Sequence, residues 1–84
     1  MHKDIDIGTI SNDLMKFVKA NILAEGVIIT NKTVLRDIGI DSYSIVEIIL
    51  FIERKYGVVI PDELLIPENF KTIEVLAATT QKLL

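Results

Sequence analysis

The chain has 84 residues, half of them apolar, with no cysteine, one histidine and a formal net charge of −3. That length supports one domain, residues 1–84, with a modest core, and leaves too few elements to wall a buried catalytic cleft. The missing thiol excludes a disulfide framework, a thiolate zinc site and a protein-borne sulfur nucleophile, and the scattered basic residues form no nucleic-acid footprint.

Proteins are therefore the expected partners. No apolar run approaches the roughly 20 residues that cross a bilayer, and the first residues lack a signal-peptide core. A monomer in the cytoplasm, with no membrane insertion, is expected. His2 reads as a solvated terminal residue, so neither a Ser-His dyad nor a histidine metal site has support.

In chain order, Ile10, Leu14, Phe17, Val18 and Ile22 recur at helical spacing and predict a first amphipathic helix from Ile10 to Leu23, with Thr9 or Ser11 as cap and Gly26 as stop. Residues 26–41 follow neither the helical nor the strand period and predict a long ordered loop, pinned to the core by Val34, Leu35 and Ile38. Asp41 is suited to cap a second helix, because its carboxylate accepts from first-turn N–H groups and favours the helix dipole. Gly39 gives the entry turn its backbone freedom.

From Ser44 to Tyr56 the pattern is helical, with Ile45, Ile48, Ile49, Ile52 and Tyr56 on one side as the core stripe. The opposite side holds Tyr43, Val46, Glu47, Leu50 and Arg54, flanked by Phe51. This face is more apolar than solvent requires: either another segment covers it or it docks a partner. Gly57 ends the helix, and Val58 to Pro61 reads as extended because the residue before proline avoids helical angles. Short helical turns are expected at Pro61–Leu65 and Pro67–Phe70. A last helix starts near Thr72, with Ile73, Leu76, Ala77, Thr80 and Leu83 at helical spacing. The fold class is all-α, a small four-helix bundle with a long first loop and a short third helix.

Ser42 stands at the mouth of the second helix, among unpaired N–H groups at the positive end of the dipole, where a phosphate ester is well held. Asp-Ser before a helix is by itself a common cap. The wider layout is more specific. Leu35-x-x-Ile38-Gly39-x-Asp41-Ser42 leads into an apolar helix containing Val46-Glu47, and Ile60-Pro61 and Thr72-Ile73 follow. Over nearly the whole chain this resembles the acyl carrier protein family.

The resemblance implies that Ser42 receives a covalent 4′-phosphopantetheine from coenzyme A through a separate phosphopantetheinyl transferase. The arm's thiol then holds acyl or aminoacyl groups as thioesters, which fits a chain without cysteine. It also implies an acyl- or aminoacyl-loading ligase and downstream acyltransferases or synthases as partners, docking through the second helix, with Asp41 as a transferase contact. Such a protein is a cosubstrate with no catalytic residues.

Three departures stand out from carriers of fatty acid synthesis. Tyr43 replaces the usual leucine after the serine. The second helix is not densely acidic, since Glu47 and Glu53 are offset by Arg54 and Lys55. The segment Leu65-Ile66-Pro67-Glu68-Asn69-Phe70-Lys71-Thr72 looks more like free-standing peptidyl, polyketide or aminoacyl carriers, so a dedicated biosynthetic pathway is expected. The alternative is a non-carrier interaction module of the same fold, with Ser42 unmodified and the apolar strip bound to one constant partner.

Overall fold

The computed structural model describes residues 5–84, so the expectation for His2 lies outside the described residues. Three α-helices carry the fold: α1 (Ile7–Asn21), α2 (Ser42–Tyr56) and α3 (Ile73–Leu83). Short 3₁₀ turns at Leu35–Ile38, Asp62–Leu64 and Pro67–Phe70 shape the connections. The two turns before α3 stand where a short third helix was expected, and 3₁₀ geometry suits segments this brief.

The first helix begins earlier than its apolar period suggests. Asp6, not Thr9 or Ser11, is its cap: the carboxylate accepts from the Thr9 N–H at 2.7 Å, and this bond holds the Asp6 carboxyl below its ordinary range. Ser11 lies inside the helix and is buried. An aspartate at the N-cap satisfies an orphan donor and meets the dipole, so it prevails over a threonine three residues on. The helix also stops short of Leu23, because the Ile22 and Leu23 N–H groups both donate to the Val18 carbonyl.

Helix α1 runs antiparallel to the other two. Phe17 stacks on Phe51 with centroids 4.3 Å apart, and the Tyr56 hydroxyl donates to Asp13 one turn nearer the start of α1. The Gln81 side-chain amide near the end of α3 donates to the Ile5 carbonyl ahead of α1 at 3.4 Å, so the C-terminus of α1 and the N-termini of α2 and α3 share one end of the molecule. The most extensive helix contact is between α1 and α3. Ile10, Leu14, Val18, Ile48, Ile52, Ile73, Leu76 and Ala77 form the buried centre. Of the expected stripe on α2, Ile48 and Ile52 are buried, while Ile45, Ile49 and Tyr56 are half-buried against them.

The loop between α1 and α2 closes over the shared end. Leu35 is buried as expected, but Val34 and Ile38 are only half-buried, and Ile29 and Ile40 reach deeper than either. Backbone bonds fix the loop to the start of α3: the Leu35 N–H donates to the Lys71 carbonyl at 2.9 Å, and the Glu74 N–H to the Asn31 carbonyl at 3.0 Å. Gly39, with φ of +87°, then turns the chain into α2.

Candidate functional site

Helix α2 opens at the shared end. Asp41 is its N-cap, with extended backbone angles and a carboxylate accepting from the Ser44 N–H at 2.9 Å. Ser42 occupies the first helical position and is exposed. The helix geometry leaves the Ser42 and Tyr43 N–H groups without an intrahelical acceptor. An anionic ester on the exposed Ser42 hydroxyl would therefore meet backbone donors and the positive end of the dipole.

The outer face of α2 is uncovered. Tyr43 is 77%, Val46 53% and Leu50 46% exposed, and Glu47 and Arg54 are exposed beside them. Of the two outcomes left open by the sequence, cover by another segment of the described chain is excluded. Phe51 turns the other way, onto Phe17.

Beside Ser42 lies a groove of ≈ 670 Å³ between α2 and the turn before α3. Ile45, Val46 and Ile49 form one wall and Leu65, Pro67 and Phe70 the other. Arg36 and Lys71 place positive charge in the lining and Asp41 and Glu68 negative charge, and Ser42 borders it directly. The sequence predicts only a short helical turn at Pro67–Phe70; its place opposite α2 depends on a long-range bond, Leu35 to Lys71, that no local pattern announces. Leu65 and Ile66, partly exposed, extend the apolar surface beyond α2.

The wall opposite α2 is held by polar contacts. The Asn69 side-chain amide donates to the Leu64 carbonyl at 2.8 Å and ties the two 3₁₀ turns together. The Ile60 N–H donates to the Glu53 carboxylate at 3.0 Å, fixing the extended segment after Gly57 against α2. Among the described residues, no cluster of acidic or histidine side chains could hold a metal ion, and no helix is long and apolar enough to cross a membrane.

A family model described as a phosphopantetheine attachment site matches residues 14–80, a span that includes the Asp41-Ser42 turn. No match is found among curated protein sequences. Among solved structures, the fold is similar to a chain from the complex of Bradyrhizobium japonicum glycine:carrier protein ligase with its cognate carrier protein and an analogue of glycyl adenylate. The TM-score is 0.71 at 26% identity, covering 90% of this chain and 96% of that one. A second complex, of the same ligase with glycylated carrier protein, matches with TM-score 0.69 at 27% identity over 87% and 96% of the two chains.

The family match spans most of the chain, the helical fold agrees, and an exposed serine stands at a helix mouth with donors for a phosphoester. The chain belongs to the phosphopantetheine-attachment carrier family: it is a carrier protein, a cosubstrate and not a catalyst, whose covalent 4′-phosphopantetheine holds acyl or aminoacyl groups as thioesters.

Proposed function

We propose that Ser42 is the attachment residue and that the protein carries an aminoacyl group, delivered by an ATP-dependent amino acid:carrier protein ligase that docks on α2. The observation that carries the first part is the position of Ser42: exposed, first in α2, and within the matched span, on the Asp-Ser turn. On a transferase, the Ser42 oxygen gives up its proton and forms the new bond to phosphorus as the pyrophosphate link of coenzyme A breaks and adenosine 3′,5′-bisphosphate leaves. Asp41 serves that step indirectly, by fixing the turn on which Ser42 is presented, and directly if the transferase reads its exposed carboxylate.

The aminoacyl part rests on two solved neighbours being complexes of a glycine ligase with a carrier, one of them glycylated. The outer face formed by Tyr43, Val46, Glu47, Leu50 and Arg54 supplies the docking surface, and downstream acyltransferases or synthases use it in turn. The coenzyme A and ATP that these steps consume are supplied in the cytoplasm, which supports a cytoplasmic role.

Intact-protein mass spectrometry tests the attachment. Incubation with coenzyme A and a broad-specificity transferase is expected to add one phosphopantetheine to the parent and none to Ser42→Ala. Ser42 is not the cap, so the variant should keep parental stability. An increment on Ser42→Ala, or none on the parent, would refute the assignment.

A further inference from the structure

Resting on the reading that α2 is the docking helix, we propose that the loading ligase reads the order of two opposite charges along its outer face, Glu47 toward the Ser42 end and Arg54 toward the other. Helix α2 carries four charged side chains: Glu47, Glu53, Arg54 and Lys55. Two are engaged within the fold. Glu53 is half-buried and accepts from the Ile60 N–H at 3.0 Å. The Lys55 ammonium lies 4.0 Å from Asp13, whose carboxylate also accepts the Tyr56 hydroxyl.

Glu47 and Arg54 are different. Both are exposed, and neither has an ion pair or side-chain hydrogen bond among the described residues. Seven residues apart on a helix, they lie close to one line and about 10 Å apart along the axis, too far to pair with each other. Each charge therefore faces outward, and together they cancel.

Tyr43 and Leu50 share that line and Val46 flanks it, and their exposed apolar surface offers affinity without direction: a helix laid backwards in an apolar hollow buries much the same area. A carrier cannot tolerate that ambiguity, because reversal removes Ser42 from the entrance that its arm must reach. Two charges of opposite sign resolve it. The matching enzyme surface is an apolar hollow with a cation near the entrance and a carboxylate about 10 Å further along, so that a reversed carrier brings like charges together.

The decisive test exchanges the two charges. Glycyl transfer to the phosphopantetheinylated protein is measured with the Bradyrhizobium japonicum glycine:carrier protein ligase, glycine and ATP, comparing Glu47→Lys, Arg54→Glu, the double variant and Leu50→Glu, with thermal melts as a check on folding. Each single reversal is expected to lower kcat/KM about fivefold, and the double variant, whose net charge equals the parent's, at least as much. Recovery of parental kcat/KM in the double variant would mean that net charge alone is read, and would overturn the proposal.

Parental values for both single variants, with loss in Leu50→Glu, would overturn it too while leaving docking on α2 intact. A parental Leu50→Glu, or no glycyl transfer to the unmutated holo-protein, would remove the docking or ligase reading itself, and the proposal with it.

Discussion

The two halves of α2 are built on different terms. From Leu50 onward the helix is tied on both flanks: Phe51 stacks on Phe17, Tyr56 reaches Asp13, Glu53 holds the Ile60 N–H, and Gly57, at φ of +67°, ends the helix in a left-handed turn that glycine enters without a steric penalty. From Ser42 to Ile49, Ile48 enters the core, one side meets the groove and another meets solvent, and the side-chain hydrogen bond is the Asp41 cap. A carrier needs both conditions on one helix. The base must stay fixed while several enzymes dock and leave, and the mouth must keep its serine and outer face clear of intramolecular partners. Side-chain tethers gather toward one end, while Ile48 anchors the other in the core and leaves Ser42 exposed.

The sharpest way to break this comparison is a pair of truncations. Ile52 is fully buried in the tied half, and Ile52→Ala is expected to cost about 2–5 kcal/mol through lost burial and a residual cavity. Val46, 53% exposed at the mouth, lies away from the core, and Val46→Ala should stay within about 0.5 kcal/mol of the parent while weakening enzyme docking. Urea unfolding monitored by far-UV circular dichroism measures both. Equal losses would show that the mouth is as much a part of the core as the base.

A smaller effect is expected at the cap. Asp41→Ala removes the acceptor of the Ser44 N–H and a charge at the dipole's positive end, and should destabilise the domain by about 1 kcal/mol. If α2 is secured chiefly from its C-terminal half, the loss appears as fraying of the first turn. Hydrogen exchange at Ser44 and Ile45 should then quicken more than at Ile52. Uniform acceleration along the helix would mean that the cap supports the whole of α2.

Much of this was legible before any coordinates. The 3.6-residue period located all three α-helices, and Gly57, Asp41 and Thr72 marked α2's two ends and the start of α3 because capping is local chemistry. The cap of α1 is hidden from the apolar period because Asp6 precedes the first residue of the stripe, so only its charge marks it. Ile29 and Ile40 were missed for a different reason. Burial in a loop without period is decided by where the backbone is pinned, here to Asn31 and Lys71, and a non-local bond leaves no trace in spacing. The same limit applied to the candidate site: Ser42 and the outer face could be read off one helix, whereas the groove needed Leu65 and Phe70 brought across from another element.

The smallest effect expected is at the lower tether, and it has a pH signature. The Tyr56 hydroxyl donates to the Asp13 carboxylate, and burial first, then that bond and the nearby negative charge, push its pKa well above the ordinary phenol value of about 10. An elevated phenol pKa means that the folded protein keeps a proton that the unfolded chain releases above about pH 10, so this contribution to stability is fully present below that pH and is lost as pH rises further. Tyr56→Phe removes the donor yet keeps the ring in place. It is expected to cost about 1 kcal/mol or less at pH 7, since the site is only half-buried, and to flatten the decline in stability as pH rises above about 10. Unfolding midpoints of parent and variant across that range measure the difference. If the two curves run parallel, the phenol does not tie α2 to α1, and the firmness of the half from Leu50 onward must come from Phe51 on Phe17 and from Ile52 in the core.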